Sequence, residues 1–308
     1  MTDRTNIEYP YLPKDRQFKY VPHDHEHMQA AAEARARLAG DSLYPVGGVL
    51  VKDGQVIAKA GNGYSRGSGK KHVCPRIVHE CPSGQGYDLC DLHDSPGHAE
   101  PMVIKAAEEA GVDPEGADFY MYGHWWCCEP CWKALIEAGV QDVYLVDDAY
   151  ERFCRDKVFA QTLTPSVQKV YFAESLTNLD PETAEQYKKS IEKIGQAVAD
   201  ELNLDVYVPH LYGDPIKCAD VPSDEIFSSC YDQVRDRCVT VAEVSYPSLG
   251  VGGELVLAHK YDRPIVLLSK KGSHVSRFAL GNPAVVYHIE YEDEQQAARL
   301  LNNVLKQL

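Results

Sequence analysis

The sequence has no apolar run of about 18 residues, which excludes a helical membrane span of ordinary length. Its opening stretch, MTDRTNIEYPYLPKDRQ, is polar and lacks an apolar core, so no secretory leader is expected. Positive charge is scarce: 31 Lys and Arg stand against 46 Asp and Glu, a net charge of −15. Such a chain repels a phosphate polymer unless its cations are concentrated on one face. One short basic run exists, Arg66, Lys70, Lys71 and Arg76. It suffices for a single phosphate and is a poor start for a nucleic-acid groove, so no nucleic-acid partner is expected. Cysteine is also sparse, 10 in 308 residues, too few for a disulfide scaffold. The cysteines cluster at 74–90 and 127–131, and without a leader this favours reduced thiols and metal binding in the cytosol. No internal repeat or low-complexity tract is present.

What is there suits two globular domains. The length is sufficient for both, and 44% hydrophobic with 25% charged residues is an ordinary soluble composition. Residues 1–25 are rich in Tyr, Pro and charge and read as an extended arm, either disordered or packed on a neighbour through Tyr9, Tyr11, Phe18 and Tyr20. His23, His25 and His27 alternate beside a helix start and read as a solvated patch. A helix is predicted over 26–39, then two short strands about Asp53-Gly54, a hairpin signal. Residues 63–97 read as loop. A helix follows His98, then a strand at ADFYMYG, a helix opened by CEPCWKALIEAG, and a strand at VQDVYLVD. Residues 149–167 read as a connector. Strands and helices alternate beyond it, with helices near 181–202, 223–236 and 293–307, which implies a mainly parallel sheet covered on both faces.

The first constellation is His98-Ala99-Glu100 followed about thirty residues later by a cysteine pair, the H-x-E and C-x-x-C signature of zinc nucleobase deaminases. One imidazole and two thiolates leave one zinc position open, as catalysis requires. Glu100, two residues beyond the histidine, is the expected proton shuttle rather than a ligand. Pro101 and Pro130 fall in first turns, which places His98 and the cysteines at helix starts, where thiolates are favoured. The string WWCCEPC leaves the register open. Read literally, Pro130-Cys131 demands a cysteine at 134, which is Ala134; read backwards, Cys128-Glu129-Pro130-Cys131 fits, with Cys127 where proline is expected.

The continuation WKALIEAGVQDVYLV resembles the helix and strand after the second zinc cysteine of cytidine and deoxycytidylate deaminases. The resemblance assigns Cys128 and Cys131 to zinc and leaves Cys127 a packed thiol. It covers roughly 26–150 and is nearest the deoxycytidylate deaminases, so it implies an α/β/α sandwich acting on a cytosine-type nucleoside monophosphate. Those enzymes carry a cysteine- and histidine-rich insertion, often with a second, structural zinc. Four of Cys74, His79, Cys81, Cys90 and His93 would serve here; otherwise they are free thiols. Asn62 matches the family's sugar-binding asparagine, whereas Met102 stands where the family has a second asparagine.

The second constellation is KVYFAES with VAEVSYPSLGVGGELVLAHKYDRPIVLL. Its Gly-rich loop alone is a weak signal. The full string closely resembles the 2′-deoxynucleoside 5′-phosphate N-hydrolases of the nucleoside 2-deoxyribosyltransferase superfamily, over about 168–290. The resemblance implies a Rossmann-like domain with Glu254 attacking or stabilising the anomeric carbon, as carboxylates do in glycosidases. It adds Tyr171 beside Glu254 and phosphate contacts from Ser175, Ser248, Ser276 and the N–H groups of Gly250–Gly252. Ser276 implies a homodimer. Two residues depart from the pattern. Glu174 replaces a glycine and would weaken phosphate binding unless turned away. Cys230 replaces an aspartate, and Asp232 lies about 200° around the helix from it.

The expected architecture is therefore α/β in two domains: an arm at 1–25, a deaminase-like domain at 26–150, a linker at 151–167 and an N-hydrolase-like domain at 168–308. The expected activity is zinc-dependent deamination coupled to N-glycosidic cleavage. The alternative is a deaminase whose second domain only binds nucleotide as a sensor.

Overall fold

The computed structural model describes residues 10–63, 72–90, 95–176 and 179–308. Tyr9, Arg66, Lys70, Lys71 and His93, all named above, lie outside the described residues. The chain divides into two compact units, one running to Thr164 and one from Pro165, with 72–73 and 77–79 grouped with the second. Among the described residues no helix is long and apolar enough to cross a membrane.

The first unit contains β1 (Phe18–Val21), α1 (Glu26–Leu38), β2 (Gly47–Lys52) and β3 (Gln55–Gly61). A single turn, α2 (Pro75–Val78), precedes α3 (Ala99–Glu109), β4 (Asp118–Tyr122), α4 (Glu129–Glu137) and β5 (Val143–Val146). The unit closes with α5 (Ala149–Phe153) and α6 (Arg155–Thr162). Its sheet has the order β1-β5-β4-β2-β3. Asp53 and Gly54 both take positive φ, 50° and 75°, and make the two-residue turn that forces β2 and β3 antiparallel. β2 also runs antiparallel to β4, whereas β4, β5 and β1 are mutually parallel. The sheet is thus mixed. Gly47 is required by packing: a Cβ there would lie 2.1 Å from the Arg35 backbone nitrogen of α1.

Two expectations are corrected here. The arm contributes a strand: residues 18–21 pair with β5, and Phe18 packs its ring 5.1 Å from Trp126 and 5.2 Å from Trp132. The connector at 151–167 is largely helical, because Phe153 and Val158 are buried in the first core and Thr162 Oγ1 donates to the Leu43 carbonyl at 2.7 Å.

The second unit contains β6 (Lys169–Ala173), α7 (Pro181–Leu202), β7 (Asp205–Tyr207), α8 (His210–Gly213) and α9 (Ser223–Asp236). It continues through β8 (Val239–Glu243), α10 (Leu249–Lys260), β9 (Ile265–Lys270), α11 (Arg277–Leu280), β10 (Val285–Tyr291) and α12 (Glu294–Leu305). The sheet is wholly parallel, in the order β10-β9-β8-β6-β7. Central β8 is buried along its whole length, as a parallel strand covered on both faces must be. α7 starts where Asp180 accepts the Thr183 N–H and Pro181 opens the first turn, and it stops at Asn203, φ 53°. Its buried face is Tyr187, Ile191, Ile194 and Val198, a helical repeat.

Candidate functional sites in the two units

In the first unit, His98 is the N-cap of α3 and Cys128 the N-cap of α4. Pro130 fixes the first turn of α4, so Cys131 points back to Cys128. The ligand atoms of His98, Cys128 and Cys131 all lie within 4.8 Å of one another. His98 Nδ1 is 3.3 Å from Cys131 Sγ and 3.5 Å from Cys128 Sγ, and the two sulfurs are 3.3 Å apart. The Cys131 thiol and His98 hold Cys128 well below the ordinary thiol range, while burial drives Cys131 up. Two thiols and an imidazole at this spacing are the donor set of a zinc site with an open fourth position, and the residues fit the metal.

Glu100 is 4% exposed, on the first turn of α3. Burial raises its carboxyl above the ordinary range, opposed by His98. Cys127, fully buried, lies close enough to Glu100 to feel its charge, and burial pushes its thiol well up. It is therefore a neutral partner of the carboxyl rather than a third thiolate. His124, which no motif marks, is half-buried beside this group. Burial, then the charge of His98, lowers it to about 4, and its Nδ1 accepts the Trp126 N–H at 3.0 Å.

The other expected residues of this unit divide. Asn62 is buried and spent on the loop at 41–46: its Oδ1 accepts the Val46 N–H at 2.7 Å, and its Nδ2 donates to the Tyr44 carbonyl at 2.8 Å and to Asp41 at 3.4 Å. Its neighbour Gly63 donates to the Gly97 carbonyl at 2.7 Å, which ties the hairpin to the turn before His98. Asn62 thus orders the site's edge with the donors that were expected to face a sugar. Met102 packs on the core. Of the expected second zinc set, Cys74 and Cys90 are buried with their sulfurs within 4.8 Å. Cys81 lies against Gly86, and His79 meets Tyr287 at 3.3 Å. The three histidines around the start of α1 are not simply solvated: His23 Nε2 lies 2.8 Å from the Tyr122 hydroxyl, and His25 stacks on Tyr120.

In the second unit, Tyr171 at the centre of β6 donates its hydroxyl to Glu254 Oε1 at 2.6 Å. Burial raises Glu254 to about 7; Tyr171 opposes the rise and the charge of Glu174 adds to it. Glu254 Oε2 is buried with no protein partner, an atom left for a ligand. Cys230 lies near the Tyr171 hydroxyl, and burial raises its thiol. The expected phosphate contacts are partly committed elsewhere. Ser248 accepts the Val251 N–H at 3.3 Å and Ser276 the Phe278 N–H at 3.3 Å, both as helix caps. The Gly252 N–H is used on the Ser248 carbonyl, while the Cβ position of Gly252 faces open space, as Gly250's nearly does. Ser175 Oγ is buried without a partner.

Glu174 is turned into the protein. Its carboxylate takes His210 Nδ1 at 2.7 and 2.8 Å and the His210 N–H at 2.9 Å, while His210 Nε2 meets Glu192 at 2.8 Å. Lys188 and Asp214, 2.5 Å apart, form a second buried pair in the same unit. Tyr212, Tyr207 and Tyr171 stack in sequence, with centroids 4.7 and 5.8 Å apart. The short helix α8 is thereby connected to the residue that holds Glu254.

Residues 22–147 match the model of the cytidine and deoxycytidylate deaminase zinc-binding region. The ComE operon protein 2 of Bacillus subtilis (strain 168) is 30% identical over 135 residues, 44% of this chain and 64% of that protein. The chain therefore spans just under two thirds of that relative's length. Among solved structures, the Clostridium botulinum CMP N-glycosidase BcmB is 20% identical, over 44% of this chain and 98% of its own, with a TM-score of 0.34. The 2-deoxyribosyltransferase of Bacillus psychrosaccharolyticus is 19% identical over 42% and 90%, at 0.32. A Thermotoga maritima diaminohydroxyphosphoribosylaminopyrimidine deaminase/5-amino-6-(5-phosphoribosylamino)uracil reductase is 14% identical over 90% and 76%, also at 0.32.

Proposed function

We propose that the first unit catalyses zinc-dependent hydrolytic deamination of a cytosine-type nucleoside or deoxynucleoside monophosphate, and that the second hydrolyses the N-glycosidic bond of such a nucleotide. The observation that carries the first half is the convergence of His98, Cys128 and Cys131 beside the buried carboxyl of Glu100, inside the family-matched region. Zinc held there supplies an activated water for attack on the ring carbon. Glu100 would take one proton of that water and pass it to the ring nitrogen, then take the second from the hydroxyl added to the ring carbon and pass it to the amine, which leaves as ammonia when the C–N bond breaks. Burial raises its affinity for a proton, the direction a carboxyl that carries protons between groups requires.

The second half is supported by Glu254 and Tyr171. A carboxyl raised to about 7, with one oxygen held at 2.6 Å and the other unpartnered, is arranged to meet a developing oxocarbenium centre. Glu174 does not stand against a substrate phosphate, since His210 occupies its carboxylate. A homodimer is part of this reading, through Ser276.

A second reading, in which this unit only binds nucleotide and regulates the first, is favoured by Cys230, a neutral thiol where a second carboxylate is expected. The test is incubation of the zinc-loaded protein with a panel of pyrimidine nucleotides, read by mass spectrometry. Ammonia and free base together support the bifunctional reading. Tight nucleotide binding without free base over long incubation supports the sensor. Ammonia release that survives Glu100→Ala removes the assignment of the zinc site.

A further inference from the structure

Arg76 and Arg155 lie on either side of Cys81. The Cys81 N–H donates to the Arg76 carbonyl at 2.8 Å, and Arg155 Nη1 donates to the Cys81 carbonyl at 2.7 Å. Arg76 Nε is held by the Gln85 carbonyl at 2.9 Å. Both side chains are half-buried, and among the described residues neither guanidinium forms a salt bridge to a carboxylate. In a chain of net charge −15 this is unusual, since acidic partners outnumber basic ones.

Two like charges brought together out of full solvent are unfavourable unless an anion joins them. Burial, then the charge of Arg76, push the Arg155 guanidinium below its ordinary value; Cys81, Asp156 and Cys74 act the other way and more weakly. Each fork keeps unused N–H donors, and the planar geometry of guanidinium suits phosphate oxygens two at a time.

The pair is also placed for the first site. Arg76 stacks on Tyr87 with its guanidinium carbon 3.9 Å from the ring centre, and the Tyr87 ring lies 6.0 Å from that of His98. Tyr87 is 7% exposed and feels Arg76 on one side and the thiols of Cys128 and Cys131 on the other. One aromatic ring thus separates Arg76 from His98, a reach that one nucleotide bridges, and Arg155 joins Arg76 through Cys81. Arg155 comes from α6, beyond the end of the family-matched region at 147.

We propose that Arg76 and Arg155 form the subsite for the 5′-phosphate of the nucleotide whose base lies at His98, Cys128 and Cys131, and that they set the preference for monophosphate over nucleoside. The proposal rests on the first unit's reading as a nucleotide deaminase, and its test separates the two. Calorimetry on the zinc-loaded full chain compares 2′-deoxycytidine 5′-monophosphate with 2′-deoxycytidine in wild type, Arg155→Gln, Arg76→Gln and Arg155→Lys. The expected result is a monophosphate preference that falls about tenfold or more in each Gln variant, the effect of losing a charge-assisted contact, and less in Arg155→Lys. Zinc content and circular dichroism report whether each variant is folded, and the Lys variant keeps the comparison available if a Gln variant is not. An unchanged preference overturns the subsite. So does zinc loss with the preference intact, because the arginines would then be serving the neighbouring thiols. Arginine-dependent monophosphate binding without ammonia release upholds the subsite and sinks the deaminase reading instead.

Discussion

Tyr171→Phe isolates a single contact at the second site, because it deletes one oxygen and keeps the ring that stacks on Tyr207. The lost bond is the 2.6 Å donation to Glu254 Oε1. Hydrogen bonds to a charged group contribute roughly 1.5–3 kcal/mol, and one pKa unit corresponds to about 1.4 kcal/mol. Glu254 already sits near 7 because burial disfavours its charge. Without the Tyr171 donor it should therefore rise further, by about one to two units. If ionised Glu254 is the attacking form, base release grows as pH passes through its pKa, so the midpoint of that rise moves to higher pH by the same amount. The midpoint does not depend on the maximal rate, which falls as well. Carbon-13 NMR titration of labelled glutamate, with Glu254→Gln identifying the resonance, measures the same pKa without any turnover. A midpoint that stays in place or moves down refutes the reasoning, since Tyr171 would then not be stabilising the carboxylate.

Three further outcomes follow from named contacts. Glu100→Gln should lower ammonia release by about two to four orders of magnitude, the usual contribution of a positioned acid–base, while metal analysis finds zinc retained, because Glu100 is not among the clustered ligand atoms. His210→Gln leaves Glu174 buried with its imidazole partner gone, and breaking such a pair costs about 3–5 kcal/mol in urea unfolding. Burial lowers the His210 pKa, but hydrogen bonds to Glu174 and Glu192 outweigh it and leave the pKa raised. Its contribution should therefore be complete below the unfolded histidine value of about 6.5 and fade as pH rises through the folded one; a urea midpoint with the opposite slope, or no difference between wild type and variant, would contradict this. Gly47→Ala should destabilise the first unit outright, since its Cβ meets backbone of α1 at 2.1 Å, and thermal melting of the variant checks it.

The parts legible in the sequence are those written locally. Asp53-Gly54 marks its hairpin and Asp180-Pro181 opens α7, each by turn or cap chemistry within a few residues, and the helix over 223–236 has the bounds expected. His98-Ala99-Glu100 and Cys128–Cys131 are legible for the same reason: a helix start brings each short motif to the site as one piece. What sequence reading missed depends on distant partners. Four residues at 18–21 become a strand only because β5 has an open edge. The helices over 149–162 exist because Phe153 and Val158 find the first core, not because of a strong apolar stripe of their own. Asn62, read as a sugar ligand from its match to a pattern, has its donors taken by residues 41–44, a competition no motif records.

The charged residues show this most clearly. Glu174 looked like an obstacle to phosphate because its partner His210 lies 36 residues away, and Arg155 carried no signal because the carbonyl it binds is 74 residues earlier. An isolated charge in a sequence is uninformative, since most are solvated. Its meaning comes from whether folding supplies a partner. Glu174 receives one and becomes part of the scaffold. Arg76 and Arg155 receive each other, which leaves a charge for a ligand to complete.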